Sequence, residues 1–269
     1  KTIKIPESIL SSIITALKEV DFTKRISLNL YNEPLYNKFI FEVLSKLNRE
    51  LPNSVLHLNS NGDYIKSEDT LLKLEQSGLK EIHITLHSPP KSKWNKNSRQ
   101  KALKRFAKKI KFNLLKKHLN NLEFETKFGK QLFCRVVCTN LSITLNGRTR
   151  GGEIDSLKPQ MKRNLPCVKP YREFTIYYDG SVTPCCEIYH DEKYKKYVMG
   201  QILPNNPNSV FEVYTGKLLT KFRESVFGYS IKTGPCSTCV AATSEFENIE
   251  IDKDIKYRET IIAQISKRR

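Results

Sequence analysis

The sequence predicts an α/β protein in which strands alternate with helices, followed by a smaller part that carries most of the cysteines. Strand-like runs and helical stretches alternate as far as about Asn140. After that point the regular alternation ends, and the sequence instead shows a hairpin signal, a CxxC pair and helices. A chain of 269 residues is long enough for one large domain with a small appendage.

The alternating part begins with a helix and continues with strands bounded by turn residues. Parallel strands joined by crossover helices are the usual outcome of such a pattern. The loops after the strands then gather on the face where ligands bind in these folds. The predicted elements are helices at 8–18, 38–50 and 67–77, the last ended by Gly78, and strands at 25–30, 55–58, 81–86, 122–126 and 132–138.

The second part begins with a hairpin signal. Residues 173–178 and 181–183 read as strands, and Asp179-Gly180 supplies the turn between them. One helix is predicted at 209–227, and the tail at 245–269 reads as a charged terminal helix.

The chain is strongly basic, with a formal net charge of +18, and much of the excess lies between Lys91 and Lys117. This stretch is either a footprint for nucleic acid, phosphate or an acidic peptide, or a solvated helix face. We favour the solvated face. Apolar residues recur at helical spacing beneath the lysines and predict an amphipathic helix: Leu103, Phe106, Ile110 and Leu114.

The cysteines indicate a metal centre in a reducing compartment. Seven is an odd number, and their spacing does not follow a secreted disulfide framework. The sequence has no signal-peptide pattern and no apolar run long enough for a membrane-spanning helix, so a cytoplasmic location and no membrane partner are expected. Clustered cysteines in that setting more often bind metal or do redox work.

Four cysteines form the candidate centre. Cys167 precedes the predicted hairpin, Cys185 follows it, and Cys236 and Cys239 form a CxxC pair. A CxxC turn and the two ends of a hairpin can deliver four thiolates to one tetrahedral set, which implies zinc or an iron–sulfur cluster. Ligand type leaves that choice open. Four buried free cysteines are the less favoured alternative.

The other three cysteines are not predicted to be ligands. Cys186 adjoins Cys185, and adjacent side chains point apart, so both seldom bind one centre. Cys134 and Cys138 have even spacing on an apolar strand, which predicts two core residues on one face.

Three strand ends resemble motifs of the radical S-adenosylmethionine enzymes. The strand 26–30 runs into Tyr31-Asn32-Glu33-Pro34-Leu35, which is similar to the family's Gly-Glu-Pro motif with Asn32 in place of glycine. The next strand ends in Asn59-Ser60-Asn61-Gly62, similar to Thr-Asn-Gly, and the third ends in Thr85-Leu86-His87-Ser88. The resemblance implies that these residues contact S-adenosylmethionine: Asn32, Glu33, Pro34, Ser60, Asn61 and His87.

The cysteine pattern resembles the SPASM/Twitch appendage of the same family. The resemblance implies one auxiliary 4Fe-4S cluster on Cys167, Cys185, Cys236 and Cys239, because 240–251 lacks the further cysteines of the full form. It also implies a partial (β/α)6 barrel at 1–150, a SPASM/Twitch domain with a β-hairpin and a helix at 151–244, and a helical tail at 245–269.

One family motif does not occur in this sequence, the CxxxCxxC loop that holds the catalytic 4Fe-4S cluster. The chain opens at Lys1 without methionine, and the first barrel strand is also lacking. We therefore expect the loop, with a second 4Fe-4S cluster, upstream of Lys1. The alternative is a degenerate member without radical chemistry.

On the preferred interpretation, a 5′-deoxyadenosyl radical abstracts a hydrogen atom from a sugar or cyclitol alcohol, and the auxiliary cluster accepts the second electron. The resemblance places Arg150, which precedes a glycine pair, near the substrate as a catalytic residue that binds or deprotonates it. Arginine is a poor base, so we favour binding. The resemblance also implies an electron donor such as flavodoxin or ferredoxin. A long Lys-rich insertion at 95–130 departs from the resembled pattern, so two alternatives are kept: modification of a ribosomally made peptide, and a non-catalytic basic domain that binds RNA.

Overall fold

The structure is a computed structural model that describes residues 4–89, 92, 94–139, 162–189 and 192–239. The described residues divide into two compact units. We call residues 21–139 the sheet unit, and residues 4–20 together with those from 162 onward the cysteine unit. Arg150 and the predicted helix at 245–269 lie outside the described residues.

The sheet unit is built on a five-stranded sheet in the order β1-β2-β3-β5-β4, in which the first four strands in that order run parallel. This is the α/β architecture with a mostly parallel sheet that the alternation predicted. The strands are β1 (Arg25–Ser27), β2 (Val55–Ser60), β3 (Glu81–His87), β4 (Glu123–Phe128) and β5 (Leu132–Thr139), and the helices are α2 (Ile40–Glu50), α3 (Glu68–Gln76), α4 (Lys96–Lys109) and α5 (Lys116–Asn121).

Strand β4 departs from the expected parallel arrangement, because it pairs antiparallel with β5. Only residues 129–131 separate the two strands. A parallel crossover needs a dozen or more residues, so a connection this short permits only a hairpin. Gly129 has φ +56°, the left-handed conformation that such a tight turn uses.

The core of the sheet unit lies on one face of the sheet. Leu56, Leu58 and Ile82 on this face are completely buried. A side chain at Gly62 would lie 3.0 Å from Ile84 on β3 and 3.2 Å from Phe106 on α4, which shows how closely α4 packs there. Cys134 and Cys138 are buried on β5, so their prediction as core residues is confirmed.

The basic stretch is an amphipathic helix, as predicted, but it is shorter than its lysine run. Helix α4 buries Ala102, Leu103, Phe106 and Ala107 and exposes its lysines. It ends at Lys109, and Lys111 has φ +54°, so Leu114 lies beyond it. Of the described residues, none belongs to a helix long and apolar enough to cross a membrane.

Among the described residues, the cysteine unit contains a small antiparallel sheet, β6-β7-β8, and four helices. The strands are β6 (Thr175–Ile176), β7 (Ser181–Thr183) and β8 (Gly200–Gln201), and the helices are α1 (Glu7–Glu19), α6 (Lys169–Arg172), α7 (Asn208–Tyr214) and α8 (Lys217–Phe227). Short 3-10 helices add Glu192–Tyr197 and Gly234–Thr238.

Helix α1 belongs to the cysteine unit, whereas the sequence placed it with the barrel at 1–150. The reason is a set of hydrogen bonds between segments distant in the chain. The Ser12 hydroxyl donates to the Leu203 carbonyl at 2.8 Å and accepts from the Asn206 amide at 2.9 Å. The Asn205 amide donates to the Ser8 carbonyl at 3.2 Å.

The single helix predicted at 209–227 is two helices, because the chain is extended at Gly216. The buried Arg223 side chain stabilises this break. Its Nε donates to the Pro170 carbonyl at 2.9 Å, and one terminal nitrogen donates to the Tyr214 carbonyl at 2.8 Å, at the end of α7. These bonds satisfy carbonyl groups that a helix end leaves open.

Two adjacent leucines on α8 give a matched test of this packing. Leu219 is 1% exposed and Leu218 is 61% exposed. We expect Leu219→Ala to lower the free energy of unfolding by about 2–5 kcal/mol through the lost burial and the cavity left behind. Leu218→Ala should change it by less than about 0.5 kcal/mol. Urea denaturation of both variants measures the difference, and equal effects would contradict the assigned burial.

Candidate functional site

The hairpin of the cysteine unit places Cys185. Gly180 has φ +87°, and a side chain there would lie 2.6 Å from the Ile202 carbonyl oxygen, so the turn requires glycine. The Asp179 carboxylate accepts from the Ser181 amide at 3.0 Å and from its hydroxyl at 2.7 Å. The first strand is shorter than the predicted 173–178. Glu173 instead accepts from Lys169 at 2.8 Å.

Backbone hydrogen bonds join the CxxC turn to the segment that carries Cys167. The turn is the 3-10 helix Gly234–Thr238, which brings the Cys239 amide to 3.4 Å from the Cys236 carbonyl. The Arg163 amide donates to the Ser237 carbonyl, and the Cys167 amide donates to the Val226 carbonyl, each at 2.8 Å. Cysteines far apart in sequence therefore meet.

The four predicted cysteines line one cavity. Apolar side chains of Ile188, Phe222 and Val226 form much of its wall. Cys167 and Cys236 belong to one packed cluster, with Phe222 beside it. Phe222 also packs beside the cluster that contains Cys185. The four cysteines that the sequence predicts as metal ligands therefore lie around one cavity.

Burial makes two of these thiols weakly acidic. It raises the pKa of Cys236 to about 12 and the pKa of Cys185 well above its usual range. The neighbouring Cys239 and Cys167 raise the pKa of Cys236 further. Such thiols are poor nucleophiles. A bound metal centre would reverse this, because coordinated thiols are deprotonated.

Buried cations next to the cavity suit a thiolate centre. Arg163 and Lys169 line the cavity, and Lys232 lies close enough for its charge to influence Cys236. All three side chains are buried. The charges of Arg163 and Lys232 counteract the rise in the pKa of Cys236. They would offset the negative charge of four thiolates.

Cys186 has different neighbours from Cys185. Its sulfur lies 3.9 Å from the Lys169 ammonium and 3.9 Å from the Glu187 carboxylate. Its amide donates to Glu173 at 3.3 Å. The cavity is lined by Cys185 and not by Cys186. These contacts agree with the expectation that adjacent cysteines do not share one centre.

In the sheet unit, the structure brings together three residues predicted to contact a cofactor. One Glu33 carboxylate oxygen accepts from the Ser60 hydroxyl at 3.0 Å and from the Leu35 amide at 3.1 Å, and the other accepts from the Asn61 amide at 2.7 Å. These bonds join the loop after β1 to the end of β2. A carboxylate offers about four acceptor positions, so about one remains for a cationic ligand.

The remaining predicted residues have less specific surroundings. Pro34 begins the short 3-10 helix Pro34–Tyr36, directly after Glu33. The Asn32 side chain accepts from the Leu30 amide at 2.9 Å and so shapes the loop. His87 is exposed at the end of β3. Arg150 lies outside the described residues, so its predicted role remains a prediction.

Sequence analysis missed the buried cations around the cysteines. Arg163 and Lys169 lie within four residues of Cys167. This proximity in sequence is the feature that could have indicated basic side chains near the metal centre. Lys232 is similarly four residues before Cys236. Burial of a basic side chain depends on tertiary packing, so sequence proximity alone did not distinguish them from surface residues.

Comparisons with known proteins identify the cysteine region. The family model of the SPASM iron–sulfur cluster-binding domain matches residues 167–240. The S-adenosyl-L-methionine-dependent 2-deoxy-scyllo-inosamine dehydrogenase of Niallia circulans is 22% identical over 240 residues, covering 89% of this chain and 82% of that protein.

Two crystal structures share the fold. BtrN in complex with AdoMet and 2-DOIA matches with a TM-score of 0.60 and 22% identity, over 85% of this chain and 77% of that one. BtrN in an open conformation matches with a TM-score of 0.56 and 18% identity, over 91% of this chain and 86% of that one. The resemblance to radical S-adenosylmethionine enzymes is thus confirmed, and residues 167–240 match the family model of SPASM iron–sulfur cluster-binding domains.

Proposed function

We propose that this protein is a radical S-adenosylmethionine dehydrogenase that oxidises an alcohol of a cyclitol or sugar. The observation that carries the proposal is the convergence of Cys167, Cys185, Cys236 and Cys239 on one cavity inside a matched cluster-binding domain. The dehydrogenase of Niallia circulans, which covers most of the chain at 22% identity, supports the choice of reaction and substrate class.

The cysteine site would hold one auxiliary 4Fe-4S cluster. The four thiolates supply its ligands, and the buried Arg163 and Lys232 balance their negative charge. The apolar wall formed by Ile188, Phe222 and Val226 limits access of water. Nearby positive charge raises the reduction potential of such an anionic centre, whereas exclusion of water lowers it. The buried Arg163 and Lys232 therefore favour a cluster that accepts an electron.

The loop after β1 would hold the methionyl end of S-adenosylmethionine. The Glu33 carboxylate is fixed by the Ser60 hydroxyl and the Asn61 amide, and its remaining acceptor position suits an ammonium group. Asn32 and Pro34 fix the course of this loop. We place the contact of His87 at the same strand ends. The sheet unit then forms part of a (β/α)6 barrel.

The complete reaction would require a second 4Fe-4S cluster on a CxxxCxxC loop, a motif that does not occur in the printed sequence. When bound, this cluster and S-adenosylmethionine would supply 5′-deoxyadenosyl radical chemistry, by which a hydrogen atom would leave the substrate alcohol. Loss of one further electron, which the auxiliary cluster would accept, and of a proton would then give a ketone. Arg150 is proposed to bind the substrate, and flavodoxin or ferredoxin to supply the initiating electron.

The proposal is tested with cluster-loaded full-length protein under anaerobic conditions. Incubation with S-adenosylmethionine, 2-deoxy-scyllo-inosamine and reduced flavodoxin is expected to yield equal amounts of 5′-deoxyadenosine and a ketone, measured by mass spectrometry. Formation of 5′-deoxyadenosine without any ketone, from this or other cyclitols, would contradict a cyclitol substrate. Formation of neither product, with both clusters present, would contradict radical chemistry altogether.

A further inference from the structure

A second group of metal-binding side chains lies on the sheet itself. In the parallel register, Ser27 of β1 is opposite His57 of β2, and His57 is opposite Glu81 of β3. His83 follows Glu81 by two residues, so it projects from the same face of the sheet. This is the face opposite the apolar core of Leu56 and Ile82.

The ligand atoms of His57, Glu81 and His83 all lie within 4.8 Å of one another. The two imidazole rings are edge to face, with centroids 4.9 Å apart. Two imidazoles and one carboxylate are a donor set that zinc and ferrous iron accept in proteins. Mutual spacing of this kind is what one ion with bonds of about 2.0–2.2 Å requires, after small side-chain adjustments.

His57 carries a buried polar atom that has no hydrogen-bond partner. The side chain is only 4% exposed, and its Nδ1 lies 2.9 Å from the Ser27 hydroxyl. Its Nε2 is buried and has no hydrogen-bond partner. A buried polar atom without a partner is costly, and a ligand would remove that cost. A hydrogen bond at one ring nitrogen commonly fixes a histidine whose other nitrogen binds metal.

Glu81 is shared with a competing cation. Its Oε2 is buried and lies 2.6 Å from the Arg25 guanidinium, in an ion pair that is not aligned as a hydrogen bond. Binding of an ion to Glu81 would compete with Arg25 for the same carboxylate. This competition weakens a metal site but does not remove it, because Arg25 is about half exposed and can turn toward solvent.

We propose that His57, Glu81 and His83 form a binding site for one divalent transition-metal ion, separate from the cysteine cavity. The site is also separate from the Glu33 loop. His57 precedes Ser60 by three residues along β2, which corresponds to about 10 Å at 3.3 Å per residue. The site lies toward the amino-terminal ends of the strands, and the Glu33 loop contacts the carboxyl end of β2.

Zinc titration of the cluster-loaded full-length protein tests the proposal. Isothermal titration calorimetry is expected to give one equivalent of bound Zn²⁺ per chain while the visible absorbance of the cluster is unchanged. We expect His83→Ala and His57→Ala to weaken binding at least tenfold. His118→Ala removes a histidine of α5 outside the group and should bind as the parent does. Circular dichroism establishes that each variant is folded.

The variant Arg25→Gln keeps the test decisive if a histidine variant fails to fold. Removing the competing cation should tighten zinc binding at least threefold, since Glu81 no longer exchanges partners. Unchanged or weaker binding by Arg25→Gln, no zinc bound to the parent, or equal losses in the His83 and His118 variants would each overturn the site. These outcomes do not depend on the proposed dehydrogenase activity.

Discussion

Replacing Cys236 with serine is expected to remove the auxiliary cluster and with it all dehydrogenase activity. Cys236 interacts electrostatically with each of the other three predicted ligands, Cys167, Cys185 and Cys239. Its replacement therefore removes the ligand that lies near all the others. Serine retains the size of the side chain but not the soft thiolate that iron–sulfur clusters require. Anaerobic analysis should find about four fewer iron and four fewer sulfide ions per chain.

Two control variants separate ligand loss from general damage. Cys138→Ala removes a buried cysteine of the sheet unit, and Cys186→Ala removes the neighbour of Cys185. Both should keep the full iron and sulfide content, although Cys138→Ala should be less stable because it truncates a core residue. An unchanged iron content in Cys236→Ser, or an equal loss in Cys186→Ala, would contradict the proposed ligands.

Loss of the cluster should also destabilise the cysteine unit. The described part of this unit has one small sheet and short helices, and buried thiols line the cavity near buried cations. A metal centre that binds only the folded state contributes its binding free energy to folding. Without it, the buried Arg163 and Lys232 would lose the negative charge of the bound centre. We therefore expect Cys236→Ser to unfold at a lower temperature than the parent.

Glu33→Gln is expected to weaken binding of S-adenosylmethionine strongly. The substitution removes the negative charge and replaces one acceptor oxygen with an NH2 donor. That donor would face groups that themselves donate to Glu33, either the Asn61 amide or the Ser60 hydroxyl and the Leu35 amide. A hydrogen bond to a charged group is worth about 1.5–3 kcal/mol, which corresponds to about a 10–100-fold loss of affinity. Equilibrium dialysis with labelled S-adenosylmethionine on cluster-loaded full-length protein measures this effect.

A matched glutamate gives the control for this variant. Glu68 begins α3 and pairs with Lys111 at 3.3 Å, so Glu68→Gln removes one carboxylate from the same unit outside the loop. Its affinity for S-adenosylmethionine should equal that of the parent. If Glu33→Gln binds as tightly as Glu68→Gln while retaining its clusters, the proposed role of this carboxylate is wrong.

The sequence by itself determined the class of fold and the candidate ligands. Periodicity located the strands and helices of the sheet unit, because local burial patterns impose it. The CxxC pair and the two cysteines around Asp179-Gly180 identified the centre, since their spacing is a property of short turns. The strand-end motifs predict Glu33, Ser60 and Asn61 as residues of one site.

Only the tertiary structure decided which distant groups meet. In the structure, Glu33 accepts a hydrogen bond from Ser60, and Arg163 and Lys232 are buried near the cysteines. Helix α1 belongs to the cysteine unit. His57 of β2 lies opposite Glu81 of β3 because of the register in which these two strands pair. No local pattern encodes these relations, because they depend on packing and hydrogen bonds between segments that are far apart along the chain.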